Sequence, residues 1–437
     1  MVTEQLYQIF LQHPQISTDT RKITPDSVFF ALKGANFDAN TFAAQALEIG
    51  AAYAVIDDAA YRKSDLFILV DDVLTALQDL ARYHRKQLNI PVICLTGSNG
   101  KTTTKELINS VLSQKFKTYA TKGNLNNHIG VPLTLLSITK ETEIAIIEMG
   151  ANHQQEIAFL CGIAQPTYGL ITNIGRAHLE GFGGAEGVKA GKGELYDYLG
   201  QNEGTAFVDQ DDNVLTEMAA QRYFKKVVFY GSEATSLVSG KLLENVPLLK
   251  IRWWNNRSFL PIKKFDVQTQ LTGSYNLDNI LAAVCIGNYF GLAAEQVNAG
   301  ITNYQPENSR SQILQTKTNT LICDYYNANP SSMEVAIENI DAITADKKVL
   351  ILGDMFELGE HAAAEHELII KKANEIAADQ LIFIGEAFYQ HRASFTDTFF
   401  ETTDAAFMAL KTASINNATV LLKGSRSMHL ESLVELL

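Results

Sequence analysis

A chain of 437 residues, 46% hydrophobic and 19% charged, is too long for one ordinary domain and carries enough apolar material for several cores. That excludes a disordered chain and leads to an expectation of two to four domains. Its 49 acidic against 36 basic side chains, a net charge of −13, would repel a phosphate backbone, so nucleic acid is not an expected partner.

The opening MVTEQLYQIF has Glu4 and no basic stretch ahead of its apolar residues, and no later apolar run approaches membrane-spanning length. A cytoplasmic protein without a membrane segment is therefore expected. Short apolar strands at VFFAL (28–32), AYAVID (52–57) and LFILV (66–70) alternate with helical stretches, and a helix follows from Val73 to about Leu88. Pro91 then resets the chain, which places a boundary near residue 89. Next come a strand (VICLT), a glycine-rich turn (GSNG) and a helix (KTTTKELINSVL), the start of a parallel-sheet nucleotide-binding unit. Further strands fit IAIIEM (144–149) and YGLITNI (168–174). After about residue 310 a third alternation, TLICDYY, KVLILGD, LIFIG and TVLLKG, reads as a second doubly wound unit. The expected class is α/β in three domains, 1–89, 90–310 and 311–437. Cys94, Cys161, Cys285 and Cys323 stand alone in apolar stretches and read as core residues, not metal ligands.

The segment Thr96-Gly97-Ser98-Asn99-Gly100-Lys101-Thr102-Thr103 lies between strand and helix, the context a phosphate-binding loop requires. Backbone N–H groups would face phosphates, Lys101 would supply a point charge, and Thr102 would offer a hydroxyl to Mg²⁺. The spacing is the shorter T-G-x-x-G-K-T-T, since Leu95 stands where the longer motif has its first glycine. Such a loop names no reaction, because kinases, GTPases and ligases all use it. Glu148, ending its strand, fits the carboxylate that holds Mg²⁺ in phosphoryl transfer. In TNIGRAHLEGFGGAEGVKAGKGEL, His178 falls just past a strand and Lys192 at the start of an expected helix. Each alone is unremarkable, a structural histidine and a solvated lysine.

Taken together, TGSNGKTTTK, GNLNNHIGVPLTLL, IEMGANHQQEI, TNIGRAHLEGFG, AGKGEL, NLDNILAA, DYYNANPSSM, LGDMFELG and LLKGSRS resemble the Mur ligase family, and within it the ligases that add D-alanyl-D-alanine. With STDTRKI included, the matches run in order from about residue 17 to residue 427. The resemblance implies an N-terminal domain for the UDP end of the substrate, a central ATPase with a mainly parallel sheet and a Rossmann-like C-terminal domain. It also implies a reaction: ATP phosphorylates the carboxylate of a UDP-linked muramoyl tripeptide, the amine of D-Ala-D-Ala attacks the acyl phosphate, and phosphate leaves from a tetrahedral intermediate.

Negative charge then builds on adjacent oxygens, which calls for two Mg²⁺ ions and a lysine. The resemblance implies that Thr102 and Glu148 hold one ion, that His178 helps hold the second, and that Lys192 corresponds to the family's carbamylated lysine, a CO₂-derived carbamate beside the metals. Asn276 and Asn279 match paired asparagines near adenine and phosphates, Arg310 the linker arginine, and Asp324 the acid that holds the ribose. Ser17, Thr18, Lys33, Phe37 and Asp38 match the uridine side, and Asn126 and Asn127 the place where substrate meets the central domain. Asn327, Asn329 and Pro330 match the acceptor side, with Lys423, Ser425 and Arg426 closing over it. Three positions depart from the family pattern: Ala39 for glycine, Tyr275 for a frequent histidine, and Asn308-Ser309 for Pro-Gly. Three alternatives stay open: a sister ligase with another acceptor, a non-catalytic nucleotide switch, and a kinase releasing a stable phosphate ester. The expected partners are the UDP-linked tripeptide, D-Ala-D-Ala and ATP, acting on a monomer.

Overall fold

Apolar runs bounded by glycine and polar turns form three separate sheets in the computed structural model, which describes residues 2–245, 247–257, 262–306 and 309–437. The N-terminal sheet has four parallel strands, in the order Ile16–Ser17, Val28–Phe30, Tyr53–Ile56, Phe67–Leu69. A small hairpin, Lys33–Gly34 with Phe37–Asp38, stands beside it.

The central sheet has nine strands. Tyr168–Ile171, Val92–Thr96, Ile144–Glu148 and Thr118–Ala120 lie next to one another in parallel, and Thr205–Asp209 and Lys226–Gly231 extend them on the other side. Val92–Thr96 and Ile144–Glu148 are buried at every residue, because helices cover both faces of a parallel sheet; that is why they read as unbroken apolar runs and not as alternating ones. Val238–Asn245, Leu249–Asn255 and Lys264–Gln268 add an antiparallel meander at the edge. The C-terminal sheet has six strands, five of them parallel, with Gln312–Gln315 antiparallel at one edge. Asp324 and Lys423 end adjacent strands there, in register with each other. All four cysteines are buried and free.

The helix Val73–Gln87 joins the first two units. Asp72 caps it, its carboxylate accepting from Thr75 N at 2.6 Å. Its apolar stripe, Leu77, Leu80 and Ala81, packs into a single cluster that runs from Leu6 and Phe30 to Ile147 and Met218, so the N-terminal and central units share one core. A fully buried leucine contributes roughly 2 kcal/mol. Its polar side carries two arginines that reach the C-terminal end of helix Glu156–Ala164. Arg85 donates to Ala164 O and Gln165 O, both at 2.9 Å, and to Leu88 O at 2.8 Å; Arg82 donates to Gly162 O at 3.3 Å. Carbonyls at a helix end lack intrahelical donors and carry partial negative charge, which guanidinium groups satisfy.

Arg85→Met is expected to lower the free energy of unfolding by about 3 kcal/mol, since buried carbonyls lose a charged donor, read as a fall in the urea midpoint. Arg82, whose side chain is 32% exposed, should shift the midpoint far less when changed in the same way.

Candidate functional site

The strand Val92–Thr96 delivers the chain into a turn that only glycine can make at two places. Gly97 has φ +147° and a Cβ there would lie 2.0 Å from Thr172 Oγ1; Gly100 has φ +77° and a Cβ would lie 2.6 Å from Asn279 Oδ1. Both combine a left-handed backbone with a close approach. The turn is wrapped by the segment after Tyr168–Ile171: Ser98 N donates to Asn173 O and Asn99 N to Asn173 Oδ1, each at 3.0 Å, and Thr172 Oγ1 donates to Asn99 O at 2.6 Å. Helix Lys101–Leu112 follows at once. The first-turn N–H groups of a helix lack intrahelical acceptors, and here Lys101, Thr102 and Thr103 line a cavity of about 960 Å³. Lys101 Nζ donates to Gly97 O at 2.7 Å and Ser98 O at 3.0 Å. Burial pulls this ammonium down to about 8, against the opposing pull of Glu148 and helped by Arg310.

Glu148 ends its strand in register with Leu95 and is 2% exposed. Its Oε1 accepts from Asn126 Nδ2 at 2.8 Å, while Oε2 is buried with no hydrogen-bond partner among the described residues. An unpaired buried carboxylate oxygen is costly, and a cation would relieve it. Thr102 lines the same cavity. Among the described residues no three His, Cys, Asp or Glu side chains gather as a metal cage.

His178 also lines the cavity, with φ +53°. Its Nδ1 pairs with the carboxylate of Glu357, from the C-terminal unit, and that pairing holds the Glu357 carboxyl below its ordinary value. A carboxylate on one ring nitrogen orients the other toward a metal, so Nε2 is the nitrogen suited to a cation. Glu357 lies in LGDMFELG and no sequence pattern assigned it this contact.

Lys192 corrects one expectation: it is not at the start of a helix but in the middle of Ala185–Gln201. Glycines at 187, 191 and 193 depress helix propensity and disguise the first two turns. The side chain is 1% exposed; Nζ donates to Ala151 O at 2.9 Å and sits 4.7 Å from the Phe182 ring centre. Burial, reinforced by Lys101, lowers its amine to about 7. Lys192 does not line the cavity itself, but Ala151 does.

Asn276 and Asn279 are buried behind the loop. Asn276 Nδ2 donates to Thr272 O and Asn279 Nδ2 to Asn276 Oδ1, while Asn279 Oδ1 accepts from Thr104 Oγ1. Their amides therefore brace the loop, although both residues reach the cavity wall. Arg310 lies across the Tyr326 ring, 3.9 Å from its centre, with Nε buried and unpartnered among the described residues. Asp324 Oδ2 accepts from Lys423 Nζ at 2.6 Å, and Tyr275 Oη shares a 2.6 Å hydrogen bond with Ser311 Oγ. Asn126, Asn127, Asn327 and Asn329 line the cavity too; Asn127 Oδ1 accepts from Gly130 N, and Asn329 caps helix Pro330–Ala342.

Other candidates lie elsewhere. Ser425 and Arg426 do not line the cavity, and Arg426 faces Glu431 at 3.5 Å. Ser17, Thr18, Lys33, Phe37 and Asp38 gather at one end of the N-terminal sheet, outside it. There Lys33 pairs with Asp57 at 2.8 Å, Asp38 accepts from Asn40 N, and Phe37 is 59% exposed. Ala39 is buried beside them, and Asn308 lies outside the described residues.

Three family descriptions match the chain in order: the Mur ligase family catalytic domain at residues 14–85, the Mur ligase middle domain at 95–287, and the Mur ligase glutamate ligase domain at 309–426. The chain is 36% identical over 432 residues to the UDP-N-acetylmuramoyl-tripeptide–D-alanyl-D-alanine ligase of Escherichia coli, covering 97% of this chain and 93% of that one. A crystal structure of MurF from Acinetobacter baumannii superposes with a TM-score of 0.86 at 32% identity, over 99% of this chain and 98% of the other. The MurF ligase of Thermotoga maritima in complex with ADP superposes at 0.84 with 26% identity, over 98% and 97%. With the loop, the buried acid and the lysine in one place and three matched domains in sequence, the chain belongs to the Mur ligase family.

Proposed function

We propose that this ligase uses ATP to join D-alanyl-D-alanine to UDP-N-acetylmuramoyl-tripeptide, through an acyl phosphate, in peptidoglycan precursor synthesis. The names of the relatives support the substrates. The observation that carries the chemistry is the unpaired Glu148 Oε2 beside a phosphate-binding loop.

In this reading the loop amides and Lys101 hold the β- and γ-phosphates, and Arg310, its Nε unpaired, faces the same phosphates. Asp324, fixed by Lys423, takes the ribose hydroxyls. Thr102 and Glu148 would hold one Mg²⁺, His178 Nε2 would help hold a second, and Lys192, once carbamylated, would add an anionic ligand on the metal side. Bound there, the ions would neutralise charge on the transferred phosphoryl group and the tripeptide carboxylate. The lowered basicity of Lys192 leaves a large share of its amine neutral near pH 7, the form that adds CO₂. Ser17, Thr18, Lys33, Phe37 and Asp38 would hold the uridine end, Asn126 and Asn127 the middle of the donor, and Asn327, Asn329 and Pro330 the incoming dipeptide, with Ser425 and Arg426 at its edge.

The domain division 1–89, 90–310 and 311–437 belongs to the same reading. So does a cytoplasmic monomer; among the described residues no helix is long and apolar enough to cross a membrane.

Incubation with ATP, Mg²⁺, D-Ala-D-Ala and the UDP-linked tripeptide, with diaminopimelate or lysine as third residue, should yield the pentapeptide by mass with ADP and phosphate. Hydroxylamine in place of the dipeptide should give a hydroxamate. Phosphate release that ignores the tripeptide would overturn the reading. Glu148→Gln should keep the fold by circular dichroism yet lower kcat about a hundredfold or more, the scale of losing a charge-stabilising group.

For Lys192 the folded value of about 7 lies below that of an ordinary lysine, so the neutral amine gains population as pH rises through that value. A carbamate signal from ¹³C-labelled CO₂ is expected to be weak near about pH 6, strong near about pH 8, and missing in Lys192→Ala.

A further inference from the structure

The segment 172–178 has two faces. One holds the phosphate-binding loop: besides the bonds from Thr172 and Asn173, Ser98 Oγ donates to Gly175 O at 3.0 Å, and Gly175 N donates to Ser98 Oγ at 2.8 Å. The other meets the C-terminal unit. Arg176 N donates to Ser331 Oγ at 2.8 Å, and its Nη1 donates to both carboxylate oxygens of Glu365, at 3.0 and 3.1 Å, while Nη2 pairs with Glu334. Glu334 sits on the first turns of helix Pro330–Ala342, and Glu365 lies on the neighbouring helix Ala362–Asn374. A direct bridge runs alongside, Asn329 Nδ2 to Asn99 Oδ1 at 2.8 Å.

The packing here is close. A Cβ at Gly175 would meet Ser331 Oγ at 3.0 Å and its Cβ at 3.2 Å. Glu365 is 9% exposed, and a carboxylate so buried needs the guanidinium opposite it. Arg176 does not line the cavity, whereas Asn329, Ser331, Ser332 and Val335 all do. Arg176 thus fixes residues that reach the substrate space without reaching it.

We propose that Arg176 is a positioning residue: it ties the segment wrapped around the phosphate-binding loop to the N-terminal turns of helix Pro330–Ala342, so that nucleotide at the loop orders the wall that meets the amine substrate. The planar guanidinium points its two terminal nitrogens at two different carboxylates at once, Nη1 at Glu365 and Nη2 at Glu334, which fixes direction as well as distance and which a lysine cannot do. The coupling is reciprocal, as any linkage between two sites must be. The assignment of the amine rests on the function proposed above.

Two measurements test it. In hydrogen exchange, MgADP should slow exchange across residues 329–335 in the unaltered enzyme and lose that effect in Arg176→Ala; equal slowing in both would overturn the proposal whatever the substrate proves to be. In kinetics, Arg176→Ala should raise KM for D-Ala-D-Ala about tenfold, while hydroxamate formation from ATP and tripeptide stays within about twofold, a split that a general loss of structure would not give. Loss of both steps in parallel, or an unmoved acceptor KM, would overturn it. Arg176→Lys, which keeps the charge, should fall between. An unaltered enzyme that forms neither hydroxamate nor pentapeptide would refute the ligase reading, leaving the exchange measurement to judge Arg176.

Discussion

A carboxylate that is almost wholly buried with one oxygen unpaired is expensive to maintain, and Glu148 is such a group. Much of the central unit makes it possible. Its strand lies beside the one that feeds the glycine turn, Asn126 satisfies the other oxygen, and Thr121 accepts from its backbone. Glu148 pulls Lys101 upward against its burial, and Lys101 in turn helps depress Lys192. The result is a site whose charges are balanced only when anions and cations arrive together, as phosphoryl transfer brings them.

The three units are attached by different forces. The N-terminal unit shares a continuous apolar core with the central one through helix Val73–Gln87. The C-terminal unit makes a smaller apolar contact, around Leu179, Phe182 and Val188, and is otherwise joined by polar contacts near the cavity: Asn99 with Asn329, Arg176 with two glutamates, His178 with Glu357. Polar contacts exchange with water at modest cost, whereas a shared core does not. By that measure the C-terminal unit is held to the rest less firmly than the N-terminal one.

Legibility in the sequence followed the physics of each element. Strands buried on both faces, such as Val92–Thr96, Ile144–Glu148 and Lys348–Gly353, stood out as apolar runs, and helix Lys101–Leu112 was legible to the residue. The meander strands Val238–Asn245 and Leu249–Asn255 mix lysine, glutamate and asparagine with their apolar residues and escaped notice, as antiparallel strands with one face toward water do. The helix around Lys192 hid behind its glycines. Residues that act through local backbone geometry, Gly97 to Thr102, were readable, because their neighbours in sequence are their neighbours in space. Glu357, Tyr326 and the partners of Arg176 were not: each meets its counterpart across a long stretch of chain, and no local pattern marks such a pair.

The shared core also bears on how the molecule is made. The first ninety residues leave the ribosome carrying Leu77, Leu80 and Ala81 on a helix whose other half of the packing, from Val131 to Leu160, is still to be synthesised. Domains generally fold as units in order of synthesis, but here the leading one would wait with an apolar stripe open to water. Nascent chains of this enzyme therefore pass through a stage at which the N-terminal sheet is complete in strands yet incomplete in packing, and a binding partner of hydrophobic surfaces would find its target there.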